Sequence, residues 1–178
     1  SDWSSDVCSS DLNSTEDQTD KLQTLLSQTA KEGRALFLPQ GSYALSKDIA
    51  ISSNYQLIGD TTGATILHNA TGAPIQLTDT TYGTKTNVRL QNIAFDGINV
   101  TLKLTNQLTL ANNIFYNPLK GFVVNLNADI GVKISGNIFM RDTAHMQPKI
   151  DFNRAIYIGG YSTPSRFQYM SDVDIVDN

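Results

Sequence analysis

Val88-Arg-Leu-Gln-Asn-Ile-Ala-Phe95 is the first of three near-identical octapeptides, followed by Leu108-Thr-Leu-Ala-Asn-Asn-Ile-Phe115 and Val132-Lys-Ile-Ser-Gly-Asn-Ile-Phe139. They begin 20 and 24 residues apart, and a fourth copy, Val173-Asp-Ile-Val-Asp-Asn178, begins 41 residues later. Each octapeptide is predicted to form one short strand. Strands repeated at this period are typical of a solenoid, because each coil buries the apolar side chains of the next. The sequence therefore predicts an all-β fold, a single-stranded parallel β-helix.

The repeat also predicts which side chains lie inside. The first, third and last residues of each octapeptide are apolar, so we expect them to stack in register, with the three closing phenylalanines in one interior column. Asn113, Asn137 and Asn178 share one repeat position. Because coils stack about 4.8 Å apart, amide side chains at that position can hydrogen-bond from coil to coil. We expect a structural ladder there rather than a site for chemistry.

Composition limits the possible partners. The 178 residues carry a formal charge of −4, and residues 1–12 resemble a translated sequencing adapter, so we interpret them as a non-native leader. Without them, 14 acidic residues face 13 basic ones and no basic stripe remains, which argues against nucleic acid as a partner. No apolar run is long enough to predict a transmembrane helix. We interpret residues 13–178 as the N-terminal part of a β-helix domain, truncated at its C-terminus within a strand-turn unit.

An amphipathic helix is predicted over residues 13–33, ahead of the strands. Asp17 or Thr19 can cap its start, and Gly33 is a natural C-terminal stop. Its apolar face consists of Leu22, Leu25, Leu26 and Ala30. Since the first coil would otherwise present open strand edges and apolar side chains to water, we expect this helix to cap that end of the solenoid.

The N-terminal motifs resemble a known superfamily. Asp17-x-Thr19-x-x-Leu22-Gln23, then Leu36-x-Leu38-Pro39-x-Gly41-x-Tyr43-x-Leu45, then Leu57-Ile-Gly59 are similar to the opening of the pectate-lyase-superfamily proteins. The resemblance covers roughly residues 14–178. It implies a right-handed parallel β-helix with a capping helix, and a carbohydrate-active protein. That superfamily includes polysaccharide lyases, glycoside hydrolases, uronan epimerases and phage tailspikes or other surface proteins.

The segment 141–153 is the richest in reactive groups, and it is predicted to be a loop that enlarges one coil. A lyase of this family needs a cation to neutralise a uronate carboxylate, a base and a proton donor. The resemblance implies Arg141 or Arg154 on the carboxylate, His145 or Lys149 as base, and Tyr157 or Tyr161 as proton donor. Predicted substrate-binding residues are Asp96, Lys103, Asp142 and Tyr161, and we expect Asp96 and Lys103 to stack toward one face. The alternative is an ordinary solvated loop.

Several activities remain open at this point. The primary hypothesis is a polysaccharide lyase acting on an acidic, uronate-containing polymer, secreted or located at the cell surface or in the periplasm. A glycoside hydrolase would need two carboxylates across the scissile bond, and the polygalacturonase signatures Asn-Thr-Asp, Asp-Asp and Gly-His-Gly are absent, as is the epimerase signature Asp-Pro-His-Asp. A non-catalytic glycan-binding tailspike or adhesin is the competing class. Calcium is compatible with a lyase, but the sequence identifies no ligand set. His68 is expected to be incidental.

Overall fold

The computed structural model describes residues 16–79, 85–103, 105–117, 122–127, 130–140, 154–159, 161–163, 166–168 and 171–178. The predicted leader, residues 1–12, lies outside the described residues. One helix, α1 (Thr19–Lys31), precedes the strands. In chain order the strands are β1 (Leu36–Leu38), β2 (Gly41–Leu45), β3 (Ile49–Ala50), β4 (Gln56–Gly59), β5 (Thr65–Asn69), β6 (Ile75–Thr78), β7 (Lys85–Gln91), β8 (Ala94–Asp96), β9 (Ile98–Lys103), β10 (Thr105–Ala111), β11 (Ile114–Tyr116), β12 (Phe122–Asn127), β13 (Ile130–Ser135), β14 (Ile138–Met140), β15 (Arg154–Gly159), β16 (Tyr161–Thr163), β17 (Arg166–Gln168) and β18 (Ser171–Val176).

Three parallel sheets run along the molecule. Sheet 1 has the order β1-β4-β7-β10-β13-β18, sheet 2 the order β2-β5-β8-β11-β14, and sheet 3 the order β3-β6-β9-β12-β15. Every third strand along most of the chain therefore returns to the same sheet, one position further along. β16 and β17 form a separate antiparallel pair. This arrangement confirms the predicted parallel β-solenoid.

The interior is a set of apolar columns that follow the octapeptide repeat. The ring centroids of Phe95 and Phe115 lie 4.9 Å apart and those of Phe115 and Phe139 lie 5.2 Å apart, with the planes of each pair inclined by 9°. Leu67 pairs with Phe95 and continues the column one coil earlier. The predicted phenylalanine column is confirmed.

Each octapeptide forms two strands rather than the one that was predicted. β7 ends at Gln91 and β8 begins at Ala94, because the chain turns a corner between them. Asn92 (φ 58°), Asn112 (φ 54°) and Gly136 (φ 63°) occupy the same corner of successive coils, in the left-handed region that Asn and Gly tolerate best. The first and third octapeptide residues therefore line sheet 1, whereas the last lines sheet 2.

The asparagine ladder follows directly after this corner. The amide Nδ2 of Asn113 donates to Leu90 O (2.9 Å) and to Asn137 Oδ1 (3.0 Å), and Asn137 Nδ2 donates to Asn178 Oδ1 (2.8 Å). Asn113 Oδ1 in turn accepts the backbone N–H of Ile93 (3.1 Å). Asn113 and Asn137 are buried, and buried amides persist where their donors and acceptors are paired. Their predicted structural role is confirmed.

The helix begins later than predicted. Residues 13–15 lie outside the described residues, and Asp17 forms an isolated parallel bridge with Ala44 instead of entering the helix. The N-cap position is Gln18, whose side chain makes no capping bond, so neither Asp17 nor Thr19 is the N-cap; the side chain of Asp17 instead accepts the N–H of Thr19 at 2.9 Å. The predicted helix from residue 13 is therefore wrong at its start, since backbone pairing with β2 competes with helix formation there.

The C-terminal end of α1 agrees with the prediction. Gly33 has φ 67°, its N–H donates to Ala30 O (3.2 Å), and the N–H of Arg34 donates to Thr29 O (2.8 Å). These two bonds form a Schellman motif, which uses glycine because the position is left-handed. Leu22 and Leu26 are buried, and α1 packs against β1, β3 and β4 at the end of the solenoid.

Candidate functional site

The outer face of sheet 3 carries a row of polar side chains. Thr78, Thr101, Asn125 and Tyr157 are in-register partners on β6, β9, β12 and β15, and all four are partly exposed. The alternate residues of these strands point inward and include the buried Leu77, Val100, Leu102, Val124 and Leu126. Since neighbouring strands lie about 4.8 Å apart, this row presents one polar group per coil at a regular spacing.

A second row runs beside the first. Lys103 and Asn127 are in-register partners at the ends of β9 and β12. Asn127 Nδ2 donates to Asn125 Oδ1 at 2.9 Å, which links the two rows. The Lys103 side chain is exposed, and its backbone N–H donates to Asp79 Oδ2 at 2.9 Å. The face therefore combines ordered amide and hydroxyl groups with an exposed cation.

Three predicted site residues lie on β15 and β16. Arg154 begins β15 and pairs with Phe122, whereas Tyr161 begins β16 and pairs with Gln168. The side chains of Arg154 and Tyr161 lie outside the described part of the structure. Tyr157 is described, and it extends the outward row of Asn125.

Four of the predicted residues lie outside the described residues, namely Arg141, Asp142, His145 and Lys149. Their segment, 141–153, connects β14 of sheet 2 to β15 of sheet 3. Chain connectivity thus joins this segment to the strand that carries Arg154 and Tyr157. The chemical roles assigned to the four residues stay predictions.

Asp96 and Lys103 do not share a face, so that expectation is wrong. Asp96 ends β8 in sheet 2, and Lys103 ends β9 in sheet 3. Gly97 stands between the two strands with φ 68°, and the left-handed residue turns the chain from one sheet to the next. Of the two, Lys103 belongs with the rows of sheet 3.

Sequence reasoning missed a cluster that Asp96 does join. His68, Asp96 and Tyr116 are in-register partners on β5, β8 and β11 of sheet 2. Burial, and secondarily the charge of Asp96, raises the pKa of the Tyr116 phenol above its usual value. The sequence held one clue to this cluster. Each of the three residues directly follows a residue of the interior column (Leu67, Phe95 and Phe115), and so occupies the same position in its coil.

The described residues contain neither a cluster of metal ligands nor a membrane-spanning helix. That part of the chain contains no group of three or more His, Cys, Asp and Glu side chains placed to hold a metal ion. It therefore supplies no ligand set for calcium. The helix found in the same residues is too short and too polar to cross a membrane.

The comparisons with known proteins agree with this architecture. Residues 10–88, a little under half of the chain, match the family model described as rhamnogalacturonase A/epimerase, pectate lyase-like. Over these residues the chain is similar to the pectate-lyase-like family, and its parallel solenoid is consistent with the β-helix fold of that family. The comparisons with curated proteins and with solved structures returned no match. The matched residues include α1 and β1 to β6, and they end before Lys103 and before the segment 141–161.

Proposed function

We propose that this protein binds an acidic polysaccharide along the outer face of sheet 3 and cleaves it by β-elimination. The observation that carries the proposal is the row of Thr78, Thr101, Asn125 and Tyr157 beside the exposed Lys103. Groups repeated in every coil suit an extended polymer better than a compact metabolite. The family match supports a carbohydrate ligand.

The proposed chemistry assigns a role to every predicted residue except Asp96, which lies on sheet 2. Arg141 or Arg154 neutralises the uronate carboxylate, which stabilises the negative charge that develops when the adjacent ring proton is removed. His145 or Lys149 accepts that proton. The glycosidic bond to the leaving sugar then breaks, a carbon–carbon double bond forms, and Tyr157 or Tyr161 gives a proton to the leaving oxygen. Lys103 and Asp142 bind neighbouring carboxylate or hydroxyl groups of the polymer.

The substrate class also suggests where the protein acts. Acidic polysaccharides are found in cell walls and outside cells, so we propose a secreted, cell-surface or periplasmic location. The pectate-lyase-like match supports this location.

The test is a lyase assay on the full chain. Pectate and alginate are incubated with the protein while the ultraviolet absorbance of the unsaturated product is followed. We expect Tyr157→Phe to lower kcat by about a hundredfold if this phenol is the proton donor, and Lys103→Ala to raise KM with little change in kcat. Thr109→Ala, on the outer face of sheet 1, is the matched surface control. Unsaturated product formed at the wild-type rate by Tyr157→Phe, Tyr161→Phe and Lys103→Ala alike would reject the assignment.

Non-catalytic glycan binding is the second candidate, and the uncharged groups of Thr78, Thr101 and Asn125 favour it. In that case the polymer binds, Thr101→Val weakens binding, and no product forms. The same assay separates the other activities of this fold. New reducing ends without unsaturated product indicate a hydrolase, and altered uronate composition without cleavage indicates an epimerase.

A further inference from the structure

Sheet 2 carries an ordered row of reactive side chains that the proposed function does not use. His68 pairs with Asp96, and Asp96 pairs with Tyr116, so the three lie on successive coils. The preceding residues in the chain are the buried Leu67, Phe95 and Phe115. Because side chains alternate along a strand, His68, Asp96 and Tyr116 project outward, and all three are partly exposed.

Two neighbouring residues orient this row. Ser42 Oγ lies 2.9 Å from His68 Nδ1, and Asn117 Nδ2 donates to Asp96 Oδ1 at 3.0 Å. The raised pKa of Tyr116 keeps its phenol protonated, and therefore a donor. Within the described residues, His68 Nε2, Asp96 Oδ2 and Tyr116 Oη make no further hydrogen bond. Three polar groups thus face outward at the spacing of the coils, and hydrogen bonds orient two of them, His68 and Asp96.

An apolar row runs parallel to the polar one. Ile66, Ala94, Ile114 and Ile138 are in-register partners on the same outer face. Ile138 is 52% exposed, and Met140, which extends the row of Tyr116, is 53% exposed. Ile66 and Ile114 are partly exposed and Ala94 is buried, so the exposed apolar surface is largest at Ile138 and Met140. Apolar side chains exposed in this way mark a surface suited to a ligand with an apolar face.

This surface differs from the outer face of sheet 3 in its charged residues. The described strands of sheet 2 contain Asp96 but no lysine or arginine. A polyanion would therefore meet a carboxylate without a compensating cation on this face. A neutral sugar chain meets no such penalty, and its hydroxyl groups can pair with a carboxylate, an imidazole and a phenol.

We propose that the outer face of sheet 2 is a second glycan-binding surface, selective for neutral polysaccharide. Hydroxyl groups along one edge of the sugar chain bond to His68, Asp96 and Tyr116, while the apolar faces of its pyranose rings lie on the apolar row. The Tyr116 ring supplies an aromatic surface within the polar row. The inference does not depend on the proposed cleavage at sheet 3, because the two surfaces lie on different sheets.

The test is isothermal titration calorimetry of the full chain with xylohexaose and cellohexaose as neutral probes and hexagalacturonate as the acidic one. We expect His68→Gln, Asp96→Asn and Tyr116→Phe each to weaken binding of a neutral hexasaccharide about fivefold, the usual effect of one lost hydrogen bond. Thr109→Ala on sheet 1 should leave neutral binding unchanged. Circular dichroism melts establish that each variant is folded.

A second readout locates the ligand. The NMR resonances of the His68 ring, assigned by their loss in His68→Gln, should shift during titration with the neutral probe and should not shift with the acidic one. The proposal is overturned if neither neutral probe binds, or if the three sheet 2 variants bind the neutral probes with wild-type affinity. It is also overturned if these variants lose affinity for the acidic probe instead. Loss of acidic binding in Lys103→Ala alone bears on sheet 3 and leaves sheet 2 as proposed.

Discussion

Asp17 joins the start of α1 to the first coil through one carboxylate. Its Oδ1 accepts bonds from the N–H and the hydroxyl of Thr19, and its Oδ2 accepts the Ser46 hydroxyl at 2.5 Å. These donors, with the Ser46 bond the largest cause and the Thr19 bonds next, lower the pKa of Asp17 from 3.8 to about 2. The ionised form is therefore the one that the folded state stabilises.

We predict that this carboxylate makes stability depend on acid pH. Because the folded pKa is depressed, its contribution is complete above the unfolded pKa near 3.9 and is lost as pH falls toward about 2. The group is exposed, so screening reduces its effect below the full value of the pKa shift, and we expect Asp17→Asn to cost about 1 kcal/mol at neutral pH. Urea unfolding of both proteins across this pH range measures the difference. It should shrink to zero in acid, and a constant difference would contradict the prediction. Asp174→Asn, at an exposed carboxylate, controls for loss of charge.

Individual outward residues were the hardest to predict. His68 and Tyr116 each look like an isolated polar residue in the sequence, because the register between coils alone makes them neighbours of Asp96. Interior residues are different, since the octapeptide repeats their apolar character. The repeat therefore predicted Phe115 and Asn113 correctly, whereas the outer face of sheet 2 followed only from the paired strands.

Among the secondary-structure elements, α1 covers open sheet edges as well as apolar side chains. β3 is the edge strand of sheet 3. The side-chain amide of Gln23 donates from Nε2 to Ala50 O (3.0 Å) and accepts the Ala50 N–H at Oε1 (2.8 Å). One glutamine thus pairs with both backbone groups of an edge residue, as a neighbouring strand would.

We predict that Gln23→Ala destabilises this end of the solenoid by about 1–3 kcal/mol, because both partly buried backbone groups of Ala50 lose their partner. Gln28→Ala is the matched control on the same helix, since Gln28 is exposed and its side chain donates a hydrogen bond to the neighbouring Glu32 rather than to a strand. Urea unfolding gives the loss in free energy, and hydrogen exchange at the Ala50 amide reports the edge itself. Equal effects of the two substitutions would contradict a capping role for Gln23.

Element type followed from the sequence more reliably than element bounds. The apolar period over Leu22, Leu25 and Leu26 predicted the helix, and Gly33 predicted its end. The start of the helix at Thr19 and the corner at Asn92 could not be predicted from the sequence, because both depend on backbone contacts made with another coil. Asp17 leaves the helix to pair with Ala44, and Asn92 N–H donates to Ala111 O (3.1 Å).

At the scale of the whole molecule, each coil bonds mainly to the coil before it and the coil after it. The described strands of sheets 1, 2 and 3 pair with their in-sheet neighbours in parallel register. Stability in such a solenoid is approximately a sum of coil and interface contributions, so damage should stay local. The phenylalanine column makes this property measurable, because Phe115 contacts a ring on each side.

We predict that Phe115→Ala costs about 3–5 kcal/mol, since it removes a fully buried ring and leaves a cavity between Phe95 and Phe139. Phe37→Ala is the matched control, because the Phe37 ring is 44% exposed on the outer face of sheet 1, and it should cost well under half as much. Native-state hydrogen exchange then follows where protection is lost. Amides of β8, β11 and β14 should exchange much faster in Phe115→Ala, while those of β1 and β2, beneath the helix, keep most of their protection. Uniform loss across all strands would show that the coils unfold as one unit and would contradict the nearest-neighbour account.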